Sequence, residues 1–146
     1  MREIKFRAWM IAGKYMKQWD DLEHLNFWAY ANHGGIWELM QYTGLKDKNG
    51  KEIYEGDILG LNETILPDKQ TEFGQVEVRF GAYDDSEIEY GSPGFGWWVT
   101  GYHGYNRLNG ITDKYVIEEH SLLTVCDEYE IIGNIYENPE LLNRHC

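Results

Sequence analysis

Short segments that alternate polar and apolar residues recur along the chain, and glycine-containing turns separate them. The clearest is residues 75–80, in which Val76, Val78 and Phe80 fall on one face of a strand. A period of two is the repeat of a β-strand that buries one face. Asn49-Gly50 is the strongest short-range signal for a hairpin turn. The pattern predicts a mainly β fold, a sandwich or small barrel of short strands.

Residues 3–9 alternate in the same way and predict a half-buried strand, followed by a turn at 12–14 and a second short strand. Its two faces carry Ile4, Phe6 and Ala8 on one side and Glu3, Lys5, Arg7 and Trp9 on the other. Further strands are predicted at 36–42, 58–61, 97–102, 115–117 and 130–136. Polar and glycine-rich composition predicts loops at 62–71, 81–96 and 103–113. Residues 19–32 are predicted to be irregular or a short helical turn, and Pro139 to start a helical turn.

Composition excludes several classes of protein. The 146 residues include 22 aromatic residues, which disordered segments lack. A net charge of −12 argues against binding nucleic acid through its phosphates. No apolar run reaches the roughly 18 residues of a membrane span, and the amino-terminal residues lack the apolar core of a signal peptide. The two cysteines, Cys126 and Cys146, are expected to be free thiols of a cytoplasmic protein, although a disulfide between them stays open.

Residues suited to chemistry do not fall at the required spacings. A calcium loop starting at Asp47 would need Gly and Glu where the chain has Glu52 and Ile58. The acidic residues 84–89 are more typical of a loop than of a cation site, and the histidines lack zinc spacing. No Gly-x-Ser-x-Gly or phosphate-binding motif occurs. We therefore expect no metal, no cofactor and no enzymatic activity.

Two features suggest contacts with partners. Residues 1–19 carry five basic and one acidic residue, whereas residues 81–146 carry three basic and twelve acidic ones. This asymmetry is either ordinary solvated surface or favours head-to-tail association. Neighbouring Trp97 and Trp98 must point to opposite faces of a strand, so either both faces are covered or one presents a partner surface. That candidate surface comprises Trp97, Trp98, Tyr102, His103 and Tyr105.

Three blocks of sequence together resemble the YopX-like family of bacteriophage and prophage proteins: residues 2–9, 39–58 and 131–142. The resemblance implies an SH3-type β-barrel and a phage or prophage protein acting in the bacterial cytoplasm. It brings no catalytic or cofactor-binding residues. The residues within the blocks fit folding roles, with glycines where a turn needs positive φ and Asp57 as the cap of its own turn. The structural motif residues are Gly44, Asn49, Gly50, Gly56, Asp57, Gly133 and Pro139.

The expected organisation is one domain over 1–146, with a β-rich extension at 1–38, the barrel at 39–138 and a tail at 139–146. Two functions are weighed. The first is a non-catalytic accessory protein that self-associates, as a dimer or higher oligomer, and binds a host or phage protein. The alternative is an acidic DNA mimic that occupies a host nucleic-acid-binding protein, and a hydrolase is a distant third. Direct contacts with nucleic acid or membrane are not expected.

Overall fold

β-Strands make up most of the chain, which confirms the mainly β fold. The computed structural model describes residues 3–23, 37–65, 70–84, 93–107 and 112–142, with backbone alone at 62–65, 70–73, 84, 93, 102–107, 112–118 and 124. The strands are β1 (Phe6–Met10), β2 (Tyr15–Lys17), β3 (Trp37–Lys46), β4 (Glu52–Tyr54), β5 (Asp57–Ile65), β6 (Gln70–Asp84), β7 (Pro93–Arg107), β8 (Thr112–Ser121) and β9 (Glu130–Asn134). Helix α1 spans Trp19–Leu22, and 3-10 turns span Leu122–Thr124 and Pro139–Leu142.

The first sheet has the order β2-β1-β3-β4, and its paired strands are antiparallel. β1 and β2 form the predicted amino-terminal hairpin, and β1 also pairs with β3, placing Phe6 opposite Gln41. Ala8, Leu22 and Trp37 form a small core under this sheet. The predicted boundary at residue 38 falls inside β3, so the amino-terminal hairpin shares a sheet with the segment that follows it.

The second sheet has the order β8-β7-β6-β5-β9. β6 and β7 pair without a register shift from Gln70 opposite Arg107 to Asp84 opposite Pro93. The main core lies against this sheet and consists of Ile53, Leu59, Leu61, Val76, Val78, Val99, Leu122, Cys126 and Tyr129. Val76 and Val78 are fully buried, as the alternation at 75–80 predicts.

The predicted loops are largely wrong within the described residues. β5 continues to Ile65 and β6 begins at Gln70, inside the predicted loop 62–71. Residues 81–84 and 93–96 belong to strands, while 85–92 lie outside the described residues. Similarly, β7 reaches Arg107 and β8 starts at Thr112. Pairing between neighbours along a hairpin keeps these polar, glycine-containing segments extended, because context outweighs strand propensity.

The two faces of β1 are buried differently from the prediction. Ile4, predicted to share a face with Phe6 and Ala8, precedes β1 and is 63% exposed, whereas Arg7, predicted on the opposite face, is only 8% exposed. Arg7 in β1 and Lys5 just before it contact carboxylates from β5 and β4, at Asp57 and Glu52.

Three other predictions concern the two short helical turns and the cysteines. The 3-10 turn at Pro139–Leu142 confirms the helical turn expected at Pro139. Helix α1 provides a short helical turn in 19–32, of which residues 24–32 lie outside the described part. Cys126 is a buried free thiol, while Cys146 lies outside the described residues.

No helix of the described segments has the length and apolar character of a membrane span.

Candidate functional site

The three blocks of sequence at residues 2–9, 39–58 and 131–142 meet in space. The backbone N–H of Tyr42 donates to the carbonyl of Lys5 at 2.9 Å, and that of Ile135 donates to the carbonyl of Gly56 at 2.9 Å. The rings of Trp9 and Tyr136 stack with centroids 5.6 Å apart. Residues from the amino terminus, the centre and the carboxyl terminus therefore build one structural unit.

Asp47 holds the first turn of this unit to the last strand. Its carboxylate accepts hydrogen bonds from the backbone N–H groups of Asn49, Lys51 and Ile131, each at 2.9 Å. Burial by itself raises the pKa of Asp47, but the three N–H donors and Lys51 outweigh it and hold the pKa below its usual range. Asn49 adds a contact from its side-chain amide to Glu130 at 3.2 Å.

The turn after β9 depends on two asparagines. Asn134 accepts from the backbone N–H groups of Tyr136 and Glu137 through its side-chain oxygen, an arrangement that folds the chain back on itself. The Asn138 side chain accepts from the Asn134 N–H at 3.3 Å and lies across Gly133. A Cβ at Gly133 would come within 2.5 Å of the Asn138 side-chain oxygen, so this close approach requires glycine.

The central glycines adopt backbone conformations that favour glycine, since Gly44, Gly50 and Gly56 have φ angles of 84°, 81° and 84°. Gly50 and Gly56 lie at turns, as predicted. Gly44, also predicted at a turn, lies within β3 instead, where the register against β4 shifts between Tyr42 and Lys46. Asp57 caps the turn at Gly56 by accepting the Tyr54 N–H at 2.8 Å. Pro139, the remaining motif residue, begins the last 3-10 turn. These contacts give each motif residue a folding role.

A cleft of about 910 Å³ lies between the two sheets, and the same three blocks line most of it. We call it the inter-sheet cleft. Arg7 of β1, the preceding Glu3 and Lys5, and parts of β4 and β5 line it, together with α1 and β9. Among the described residues, its charged lining is six carboxylates and three cations: Glu3, Asp20, Glu23, Glu52, Asp57, Glu137, Lys5, Arg7 and Lys51.

Arg7 and Asp57 form a buried ion pair in this cleft. Nη2 of Arg7 lies 2.6 Å from Oδ1 of Asp57, and the guanidinium carbon lies 4.9 Å from the centre of the Tyr54 ring. Burial raises the pKa of the Asp57 carboxyl, while the Arg7 charge and the Tyr54 N–H oppose that rise. The Nε–H of Arg7 is buried and has no acceptor among the described residues.

Lys5 makes a second, more accessible set of ion pairs. Its ammonium group lies 2.6 Å from Glu52 and 3.3 Å from Glu3. The hydrogen bond that Lys5 donates to Glu52 raises the pKa of Lys5, with a smaller contribution from Glu3 and against the opposing effect of burial. Lys5 and Arg7, two of the five basic residues near the amino terminus, are thus neutralised within the chain.

The predicted partner surface differs from the structure in part. Trp98 is only 9% exposed, and the Arg79 guanidinium carbon lies over its ring, 5.6 Å from the centroid. Trp97 is half-buried and packs against the main core. Tyr102, His103 and Tyr105 belong to β7, but their side chains lie outside the described part.

Among the described side chains, an exposed aromatic surface lies near the turn end of the β6–β7 hairpin. Phe80 is 50% and Phe95 74% exposed. Their ring centroids are 5.3 Å apart, and Phe80 also contacts Trp97 at 4.7 Å. We call Phe80, Phe95 and Trp97 the aromatic tip. Sequence reasoning placed Phe80 inward because it shares a face with Val76 and Val78; it missed that the hairpin extends this face beyond the core.

Within the described side chains, no group of three or more His, Cys, Asp or Glu residues is placed to hold a metal ion. Cys126 is buried, and burial raises the pKa of its thiol, which disfavours the reactive thiolate. The acidic side chains at 84–89 lie outside the described part. The described features capable of recognition are the inter-sheet cleft and the aromatic tip.

Fold and surfaces together define a mainly β protein with a polar cleft between two sheets and an exposed aromatic tip. A family model described as YopX protein matches residues 5–143, so the chain belongs to the YopX family. Among solved structures, the chain is similar to protein EF1440 from Enterococcus faecalis, with 22% sequence identity and a TM-score of 0.46 over 97% of this chain and 99% of that chain. The comparison with curated proteins gave no match.

Proposed function

We propose that this chain is a non-catalytic protein-binding module that self-associates through its aromatic tip, as a phage or prophage accessory protein in the bacterial cytoplasm. The observation that carries the proposal is the exposure of Phe80 and Phe95, at 50% and 74%, on rings that contact each other. A contiguous apolar surface of this kind marks a contact site more often than singly scattered apolar residues do. Phenylalanine and tryptophan are also enriched at the centres of protein interfaces.

A second copy of the chain is the partner that this surface fits. A two-fold interface brings the same patch together from both molecules, so an apolar tip meets an apolar tip. The charge asymmetry contributes less than the sequence suggests, because Glu52 and Asp57 already pair with Lys5 and Arg7. Repulsion between two chains of charge −12 is screened beyond about 8 Å at physiological salt.

Light scattering at micromolar concentration and about 0.15 M salt tests this proposal. We expect a mass of twice 17.2 kDa for the natural chain and of 17.2 kDa for Phe95→Asp. Ile4→Asp is the matched control, since Ile4 is 63% exposed but lies at the start of the chain, and it should leave the dimer intact. A monomeric natural chain, or a Phe95→Asp variant that remains dimeric, would refute self-association through the tip.

We also propose that the second sheet, with β3 and β4, forms an SH3-type barrel extended by the β1–β2 hairpin. Register shifts in β5 support this arrangement: β5 changes register against β6 between Leu61 and Thr64, and against β9 between Ile58 and Leu59. Such irregularities bend a strand and allow a sheet to curl. A crystal structure showing two flat, separately packed sheets would contradict it.

A further inference from the structure

We propose that the outer part of the β6–β7 hairpin pivots about Gly81 and Gly96 and thereby opens and closes the aromatic tip. We call this outer part the arm, and its described residues are 82–84 and 93–95. The proposal rests on the self-association proposed above, because it describes how the surface that binds a second copy changes shape.

The arm extends beyond the strands that flank the hairpin. Among the described residues, β5 pairs with β6 as far as Glu77, and the Gly56 N–H adds one hydrogen bond to the carbonyl of Val78. On the other side, β8 pairs with β7 no further out than Trp98. Beyond these points the described parts of β6 and β7 have only each other as strand partners. A two-stranded ribbon is marginally stable by itself, so the arm is held less firmly than the five-stranded sheet.

A pair of glycines lies where the arm leaves the sheet. Gly81 and Gly96 are directly opposite each other in the hairpin, and their φ angles are +133° and +147°. Residues with a side chain rarely adopt such angles. A Cβ at either glycine would meet no described atom within 4 Å, so lack of space does not require glycine there. The pair instead gives both strands backbone freedom at the same level of the hairpin, and hinges need residues that absorb such changes in φ and ψ.

The glycine pair divides the aromatic tip into two parts. Phe95 belongs to the arm, whereas Phe80 and Trp97, which are opposite each other, lie on the sheet side of the pair. The structure shows the closed form, in which Phe95 meets Phe80 edge to face with ring centroids 5.3 Å apart at an interplanar angle of 79°. A pivot of the arm separates these two rings but keeps the 4.7 Å contact between Phe80 and Trp97. The open form therefore exposes more of the Phe80 ring to the aromatic side chains of a second copy.

Distances between two nitroxide spin labels on the full chain test the pivot. One label is attached to the arm through Ala82→Cys and the other to the rest of the chain through Glu128→Cys, both at exposed positions, in a Cys146→Ser background. We expect two distances in the dilute monomer, for the closed and the open arm, and one in the dimer, measured with an excess of unlabelled chain. A single narrow distance that is the same in monomer and dimer would overturn the proposal.

Gly81→Ala/Gly96→Ala should leave only one distance, because alanine avoids positive φ in both strands. It should also weaken the dimer about tenfold or more, since the arm can no longer adapt to the second copy. The matched control is Gly50→Ala: Gly50 also has a positive φ and no described atom within 4 Å of a Cβ, but it lies in the turn between β3 and β4.

Two distances that persist in Gly81→Ala/Gly96→Ala, or that disappear equally in Gly50→Ala, would refute a pivot at this pair. The proposal and the self-association on which it rests can fail separately. A natural chain that stays monomeric at every concentration refutes self-association, while one or two distances in that monomer still decide whether the arm pivots.

Discussion

Nη2 of Arg7 lies 2.6 Å from Oδ1 of Asp57, and the two side chains, fifty residues apart in sequence, are 10% and 2% exposed. This contact joins β1 of the first sheet to β5 of the second. Asp57 also caps its own turn through Tyr54, so one carboxylate fixes a local turn and a long-range contact. The pair therefore positions the amino-terminal hairpin against the rest of the chain.

Removing one partner of this pair should destabilise the protein strongly. Asp57→Asn leaves the Arg7 charge buried without its counterion, a change that typically costs about 3–5 kcal/mol. Arg7→Met likewise leaves the Asp57 carboxylate buried without its counterion. The double variant Arg7→Met/Asp57→Asn should be less destabilised than the sum of the two single changes, because neither charge is then left alone. Urea unfolding measures all three free energies.

The control for this cycle is the more accessible pair of Arg79 and Glu77. Nε of Arg79 lies 2.7 Å from Glu77, and the two side chains are 51% and 14% exposed. Glu77→Gln should therefore cost less than about 1 kcal/mol. If Asp57→Asn costs no more than Glu77→Gln, the Arg7 pair does not hold the sheets together.

Sequence patterns predicted the strands with clear alternation, but not which side of β1 would be polar and buried. The period of two at residues 3–9 correctly indicated a strand, and β1 covers most of it. An alternating pattern assigns residues to the two faces of a strand, but it does not show which other segments pack on each face. Arg7 is buried because Asp57, from a distant strand, supplies its counterion, and no local pattern contains that information.

Asp47 should make the stability of the protein depend on acid pH. Its pKa is lowered in the folded state, so the ionised carboxylate stabilises the fold at pH values above the unfolded value of about 3.9. That contribution should be lost as pH falls below about 3.9 towards the folded-state pKa. Unfolding free energies measured across this range should fall more steeply for the natural chain than for Asp47→Asn.

Asp47→Asn should also be less stable at neutral pH. Asparagine keeps one acceptor oxygen for three backbone donors, and hydrogen bonds to a charged group are worth about 1.5–3 kcal/mol each. Asp127→Asn is a suitable control, since Asp127 is exposed. An unchanged acid slope in Asp47→Asn would show that other carboxylates govern the acid transition.

The cleft and the aromatic tip were beyond prediction for different reasons. The cleft arises where segments from three parts of the chain meet, and its lining depends on the packing of two sheets. The aromatic tip was missed because Phe80 shares a face with the buried Val78, which led to the prediction that Phe80 is buried as well. The β6–β7 hairpin extends this face past the core. Its length was not predicted, because the polar and glycine-rich composition of residues 81–96 indicated a loop.

Cys126 should react slowly with thiol reagents in the folded protein. Its side chain is 6% exposed, and burial, with a smaller effect of Asp127, raises the pKa of the thiol. In a Cys146→Ser background, the reaction rate with an aromatic disulfide near neutral pH should rise by orders of magnitude in concentrated guanidinium. Rapid reaction of the native protein would indicate that the core around Leu122 opens readily.

Gly101 should tolerate no side chain, because the close approach of β7 to β6 leaves no space. A Cβ at this position would overlap the carbonyl oxygen of Gln75 and lie 2.8 Å from the Cα of Val76. Backbone atoms cannot rotate away as a side chain can, so Gly101→Ala must separate two paired strands and should cost about 1–3 kcal/mol or more.

Gly50 is the control that distinguishes a requirement for space, as at Gly101, from a requirement for a positive φ angle. A Cβ at Gly50 would meet nothing within 4 Å, and only its φ of +81° favours glycine. Asparagine tolerates that conformation better than alanine does, so Gly50→Asn should be milder than Gly50→Ala. At Gly101 the order should reverse, since the larger asparagine worsens the overlap. Urea unfolding of the four variants decides it, and Gly101→Asn equal to the natural chain would disprove the close approach.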